Sequence, residues 1–333
     1  MFRPEEYGKV VVLYGGSSSE RDVSLESGAA VIRVLQELGL RVIPVDAKGD
    51  FLSKLLSLRD EKVSRIFNCL HGGDGEDGTI QGALTLSGIP FTGSGVAASS
   101  LAMDKAVCKG VWKSLGIRTL DYAEVDSLDA AISSATTMGY PIAVKPISEG
   151  SSVGVSKVDN LSELEKAFEQ ASLKGRVMLE PWQSGAEYSV TILNGVALPV
   201  VEVIYPAGKF YDYALKYESD ETDYRFGTLS KEREEYMQDL ACKAYKTIGC
   251  ESCARVDVIS NVETGEFYVL EINTLPGLTS HSLVPKCAER VGKNFGQLIL
   301  DILDTTIPER GRAYIPKKES KRPRVGGFSQ SLW

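Results

Sequence analysis

Histidine is nearly absent: His71 and His281 are the only two in 333 residues. That excludes a polyhistidine metal centre and leaves a Ser-His-Asp hydrolase just two bases to choose from. Cysteine is sparse and unpatterned. Cys69, Cys108, Cys242, Cys250, Cys253 and Cys287 make no repeating framework, the usage of reduced thiols. Cys250 and Cys253 have CxxC spacing, but no second pair or nearby His completes a zinc tetrahedron, so they read as core thiols. No apolar run approaches the ~18 residues of a membrane span. Acidic Glu5 and Glu6 stand where a signal peptide would turn apolar, and the chain reads as cytoplasmic with no membrane partner. An excess of positive charge is also missing. With 37 Lys and Arg against 45 Asp and Glu the net charge is −8, which offers no general attraction for nucleic acid. Seven Lys or Arg and one Glu between Arg310 and Arg324 make a local +6, so the rest of the chain carries −14.

Three nucleotide fingerprints are missing too. The first strand-turn-helix lacks GxGxxG, which disfavours a dinucleotide site, and no GxxxxGK[ST] loop occurs. Neither an HRD-like nor a DFG-like segment supports a protein kinase.

What is present is an α/β pattern long enough for two or three domains. Lys9 to Tyr14 is a β-branched run ending at Gly15-Gly16 and followed by a helical pattern, the opening of a Rossmann-like parallel sheet. Strands at 41–45 and 65–70 continue it, and Gly15-Gly16, Glu20 and His71 fall at carboxyl ends of strands, where such sheets bind ligands. Glu20 near a helix start would repel a pyrophosphate but suits an ammonium group. The loop His71 to Gly78 holds four glycines and reads either as a close-approach ligand loop or as a flexible acidic surface loop. A helix containing Met103-Asp-Lys105 and running to Ser114 leads into a second α/β unit.

In that unit Lys145 ends an apolar strand just before Glu149-Gly-Ser-Ser-Val-Gly154. A point charge beside a glycine and hydroxyl loop is equipment for polyphosphate, and an exposed hairpin lysine is the plainer alternative. Val177 to Trp182 is a strand carrying Glu180, and Glu187 opens the next; either carboxylate could accept from a nucleoside. Residues 211–227 are polar and aperiodic and read as a mobile lid.

The most informative stretch is a hairpin. Arg255 and Asp257 are two apart in one run, Glu271 and Asn273 two apart in the next, and a turn at 263–266 joins them. Shared on one face, two carboxylates and an amide oxygen suit Mg²⁺, with Arg255 turned to a phosphate; ordinary polar alternation on a surface hairpin is the competing account.

Taken together, GGSSSERDVS (15–24), HGGDGEDG (71–78), MDK (103–105), VKP with EGSSVG (144–154), FYDYALKY (210–217), ARVDV (254–258) and LEINTLPGLTSHSLVP (270–285) resemble the D-alanine:D-alanine ligases of the ATP-grasp superfamily, from about Val10 to Leu303. The resemblance implies a Rossmann-like domain at 1–100, a central ATP-grasp subdomain at 101–184, a C-terminal ATP-grasp subdomain at 185–308 and a basic, disordered tail at 309–333. The activity it implies is ATP-dependent joining of two D-alanines through a D-alanyl phosphate for peptidoglycan, by a homodimer with two Mg²⁺, or Mn²⁺ in their place. Lys105 and Lys145 would contact ATP phosphates with the Ser151-Ser152 loop closed over them, Glu180 and Glu187 would hold adenine and ribose, and Lys216 and Trp182 would also meet the nucleotide. Asp257, Glu271 and Asn273 would hold the metals. Glu20, Ser151, Tyr217 and His71 would surround the first D-alanine, Arg255 and the Gly277 backbone the oxyanion, and Ser282 and Leu283 the second D-alanine's carboxylate. Another carboxylate-amine or D-alanine:D-lactate ligase, or a nucleotide-binding protein without turnover, remains open.

Overall fold

The computed structural model describes residues 3–150, 152–206 and 222–307. The expectations placed on Ser151, Lys216, Tyr217, most of the lid and the basic tail lie outside these residues.

Strand β1 (Lys9–Tyr14) has the continuous apolar run of a strand covered on both faces, and it lies between β2 (Arg41–Asp46) and β3 (Arg65–Asn68) in parallel register. Alternate residues serve opposite faces: Val10 and Val12 join one core, Val11 and Leu13 another. Helix α1 (Arg21–Glu37) covers the first face with Val31 and Leu35. Its approach is close, because a Cβ at Gly28 would fall 2.5 Å from the Cβ of Tyr14. Helices α2 (Phe51–Asp60) and α3 (Thr79–Ser87) cover the second with Phe51, Leu55 and Leu84.

Where β1 ends, Arg21 donates to the Gly16 carbonyl and grips Asp46 through both guanidinium arms. The Arg21 guanidinium holds the Asp46 carboxyl well below the usual carboxylate range. A depressed folded pKa adds stability above the unfolded value and loses it as pH falls. Asp46→Asn should therefore lower the thermal midpoint at neutral pH, and the gap to the unaltered protein should narrow below about pH 4. Midpoints that differ equally at pH 3 and pH 7 would sink this assignment.

The single helix expected to contain Met103-Asp-Lys105 and run to Ser114 is two. Helix α4 (Val96–Met103) ends at Asp104, whose backbone leaves the helical region and whose side chain accepts from the Val107 amide to cap α5 (Lys105–Ser114). Arg176 reaches both Asp104, at 2.5 Å, and Glu124 across this break.

The central sheet runs β4 (Ala123–Val125), β7 (Val177–Pro181), β5 (Ile142–Pro146), β6 (Ser156–Val158), all antiparallel, under α6 (Leu128–Met138) and α7 (Leu161–Ser172). The large sheet contains β8 (Glu187–Leu193), β9 (Val196–Ala197), β10 (Val201–Ile204), β11 (Asp223–Phe226), β12 (Cys253–Ser260) and β13 (Phe267–Asn273). Strand β11 corrects the lid reading over 211–227. Its last part pairs with β10, Tyr224 opposite Val203, and cation–π contacts from Lys286 to Tyr224 and Arg290 to Phe226 hold its aromatic residues.

Helix α8 (Lys231–Thr247) seals one face of the large sheet, together with Trp112 from α5. Helices α9 (Leu283–Arg290) and α10 (Phe295–Asp304) pack against the first sheet, so Leu283, Cys287, Leu298 and Ile302 share a core with Val10, Val12 and Leu35. Tyr7 donates to Asp304 at 2.6 Å and Arg65 to Thr306 at 2.9 Å across the same seam.

Candidate functional site

The hairpin of β12 and β13 forms in the expected register. Arg255 lies opposite Asn273 and Asp257 opposite Glu271, with an irregularity just after Asp257. Cross-strand partners share a face, so all four project together while Val256, Val258 and Ile272 enter the core behind.

Charge balances charge on that face. The Arg255 guanidinium holds Asp257 through two contacts of 2.9 Å, and the Ser189 hydroxyl donates to the same carboxylate at 2.8 Å. Lys105 approaches Glu271 at 3.6 Å and donates to the Glu149 carbonyl at 2.5 Å. Asn273 accepts from the Leu275 amide through Oδ1, which turns the chain and aims that oxygen along the face. Two partly buried carboxylates and an amide oxygen, each with lone pairs to spare, fit a hard divalent cation that completes its shell with water and phosphate. Among the described residues no group of three His, Cys, Asp or Glu side chains could hold a metal, so the amide oxygen of Asn273 would have to complete any set at this hairpin.

Two cavities meet at this hairpin. The larger, about 770 Å³, lies between the central and large sheets and is lined by Lys145, Ser152, Trp182, Glu187, Asp257 and Glu271 among others. That is the size of a small-ligand cleft. The smaller, about 90 Å³, is lined by Glu20, Glu76, Arg255, Asn273, Gly277 and Ser282 among others. Lys105, Glu149, Glu271 and Leu283 border both.

In the smaller cavity Glu20 is the residue before α1, yet its carboxylate does not cap the helix. It faces the glycine loop instead: a Cβ at Gly150 would lie 3.1 Å from Glu20 Oε1, and one at Gly72 3.3 Å from its Cγ. Ser282 is the residue before α9, and its hydroxyl accepts from the Thr279 amide at 3.0 Å rather than capping the helix, with Leu283 beginning it. Gly277 must lack a side chain, because a Cβ there would sit 2.8 Å from Ser282 Oγ. His71 does not reach this cavity. It is buried behind the wall, Nε2 3.2 Å from Ser27 Oγ and Nδ1 3.7 Å from Glu76 Oε1, and Glu76 is the member that lines the space.

In the larger cavity Glu187 accepts from the Tyr205 hydroxyl at 2.5 Å, and burial together with that carboxylate pushes the phenol pKa up. Trp182 lines the wall, its amide donating to the Pro141 carbonyl at 2.9 Å. Glu180 is 2% exposed and ion-paired with two lysines, Lys145 and Lys109. Lys109, Glu76 and Tyr224 were not singled out from sequence. Glu76 stood inside the glycine loop already noted, whereas a lone lysine on a helix carries no sign that it will be buried. The thiols are remote from this chemistry: Cys250 and Cys253 are buried, and burial pushes each up to about 12.

A family model described as D-ala D-ala ligase C-terminus matches residues 111–304, and one described as D-ala D-ala ligase N-terminus matches residues 56–94. The chain is 44% identical over 310 residues to the D-alanine--D-alanine ligase of Ectopseudomonas mendocina (strain ymp), across 92% of this chain and 97% of that one. To D-alanine--D-alanine ligase B of Pseudomonas syringae pv. tomato it is 45% identical, across 92% and 96%. Among solved structures it is similar to D-alanine--D-alanine ligase from Bacillus anthracis complexed with ATP, with TM-score 0.76, 33% identity, and 91% and 97% of the two chains covered. The VanG D-Ala:D-Ser ligase from Enterococcus faecalis matches with TM-score 0.76 and 28% identity, across 90% and 99%.

Proposed function

The chain belongs to the D-alanine–D-alanine ligase family, and from that premise we propose that it joins two D-alanines at the expense of ATP, releasing ADP and phosphate for peptidoglycan precursor synthesis. Its two antiparallel sheets around the larger cleft are those of the ATP-grasp fold. The observation that carries the reading is the meeting of a nucleotide-sized cleft and an amino-acid-sized cavity at Lys105, Glu149, Glu271 and Leu283.

A carboxylate is a poor electrophile, so the first D-alanine is activated as an acyl phosphate before the second one's amine attacks it. Glu20 takes the ammonium of the first D-alanine, and the start of α9 with Ser282 and Leu283 takes the carboxylate of the second. Lys105 and Lys145 bring positive charge to the phosphates, under the loop that contains Ser152, while Trp182 and Glu187 face the nucleoside. Asp257, Glu271 and Asn273 would hold Mg²⁺, which when bound would screen the repulsion between phosphate and carboxylate. Arg255 turns from Asp257 toward the developing oxyanion, and the Gly277 backbone donates from the other side. His71 acts through Glu76, orienting it against the first amino acid. The family resemblance adds contacts from Ser151, Lys216 and Tyr217.

The same reading divides the chain at about residues 100 and 184 and sets the enzyme to work as a cytoplasmic homodimer. Free cysteines suit that compartment. Sedimentation velocity tests the dimer.

The deciding experiment offers D-alanine with D-alanine, D-serine or D-lactate as acceptor and follows ADP release and product mass. D-alanyl-D-alanine, formed one for one with ADP, is expected to dominate at neutral pH. Preferential formation of a D-alanyl-D-serine dipeptide or an ester would replace this acceptor assignment, and no product with any acceptor would end the ligase reading.

A further inference from the structure

The larger cleft ends in a buried charge cluster that the reaction as described does not use in full. Glu180 on β7 is held between Lys145 on β5 and Lys109 on α5. Lys109 is fully buried and its Nζ sits 2.5 Å from Glu180 Oε1, an ion-pair contact rather than an aligned hydrogen bond. It also donates to Thr119 Oγ1 at 2.9 Å, and that hydroxyl donates to the Val269 carbonyl at 2.6 Å. Lys109 is thereby tied to the central sheet through Glu180 and to the large sheet through Thr119. Lys145 differs from it: its side chain keeps 12% of its exposure, and it lines the cleft.

The cluster sets two lysines on one carboxylate; burial draws the Lys109 ammonium down from the ordinary lysine value, and the Glu180 carboxylate beside it opposes that pull. Burial pushes the Glu180 carboxyl up, but the two ammonium groups outweigh it and its pKa is lowered on balance, so the group is an anion at neutral pH. A buried carboxylate needs a partner at all times. If Lys145 were its sole partner, drawing Lys145 onto a phosphate would strip the carboxylate, and the energy of nucleotide binding would be spent on that separation. With Lys109 in permanent contact, the carboxylate keeps a counter-charge whichever way Lys145 points. Both oxygens of Glu180 are turned to lysines, and the residue also lines the cleft.

We propose that Lys109 is the standing counter-ion of Glu180, a positioning residue whose charge frees Lys145 to exchange between Glu180 and a nucleotide phosphate. The inference rests on the ATP-dependent reading above and deepens it. It adds the control of Lys145 to the nucleoside contact that the family resemblance gives Glu180. Lys109 touches no substrate and acts through the charge it lends to Glu180.

The test titrates a non-hydrolysable ATP analogue, with MgCl₂, into the full-length unaltered protein, Lys109→Met, Glu180→Gln and the double variant. Lys109→Met should weaken analogue binding by about 10- to 100-fold, because each bound Lys145 then leaves a bare carboxylate. It should raise KM for ATP far more than it lowers kcat. Neutralising the carboxylate removes the need for a counter-ion, so the double variant should bind within about threefold of Glu180→Gln alone. A merely structural lysine would give no such recovery. Lys109→Met binding that equals the unaltered protein, or a double variant as weak as Lys109→Met, overturns the proposal. Should Lys109→Met fail to fold, Lys109→Arg decides, because it keeps the charge. Analogue affinity within about threefold of the unaltered protein upholds the assignment, and a loss above about tenfold overturns it. The unaltered protein's own binding and its dipeptide assay report separately on the ligase reading.

Discussion

Replacing Glu271 by glutamine is expected to lower turnover by about a hundred- to a thousandfold, the range for losing one charged group that stabilises a transition state. Glu271 stands directly opposite Asp257 on the hairpin and borders both cavities, so under the proposed function its charge would serve the phosphate side and the amino-acid side together. The amide is nearly isosteric and the side chain is 29% exposed, so the fold should tolerate it. Two signatures separate a metal ligand from a generic acidic residue. The Mg²⁺ concentration for half-maximal rate should rise, and Lys105, relieved of its acidic neighbour, should not compensate. Initial rates of ADP release across a magnesium series measure both. A loss smaller than about tenfold at every magnesium concentration would remove Glu271 from the metal set.

The largest stability effect is expected at Trp112. Its side chain is fully buried, and its indole donates to the Ala244 carbonyl at 3.1 Å. Around it lie Met237, Leu240, Ala241 and Tyr245 from α8 and the inner face of β8, β12 and β13. Trp112→Ala should cost about 3–5 kcal/mol, the lost burial plus the void left among side chains that cannot collapse into it. Trp112→Phe keeps most of the volume but strands the carbonyl of Ala244, and should cost about half as much. Denaturant titration followed by far-UV circular dichroism compares the three. An alanine variant within about 1 kcal/mol of the parent would mean that α5 is held by contacts other than this core.

The hairpin was legible because its information is local. Alternation over Cys253–Ser260 and Phe267–Asn273 fixes which residues share a face, and the short turn between them leaves little freedom of register. The break at Asp104 was missed for an opposite reason. Apolar residues continue on both sides, and only the acceptance of the Val107 amide by Asp104 reveals that one helix ends and another begins. Strand β11 is four residues long and follows an aperiodic stretch, so its partner β10 defines it more than its own pattern does. Lys109 was invisible altogether. Its burial depends on Glu180, 71 positions later, and no window of sequence holds both.

The core shared by the first sheet and the last helices bears on how the two amino acids meet. Glu20 stands at the head of α1 and Ser282 at the head of α9, and Val31 and Leu35 of α1 lie in the same packed interior as Leu283, Val284 and Cys287 of α9. If Glu20 and Ser282 hold the two amino acids as proposed, the spacing between their sites is set when the chain folds, before either substrate arrives. Translational and rotational freedom that two amino acids would forfeit on meeting in water is surrendered one molecule at a time, each to a partner already in position. Aligned intramolecular reactions reach effective molarities of roughly 10⁵ M and above. A frame of this kind converts the second step from an encounter into a rearrangement within one complex.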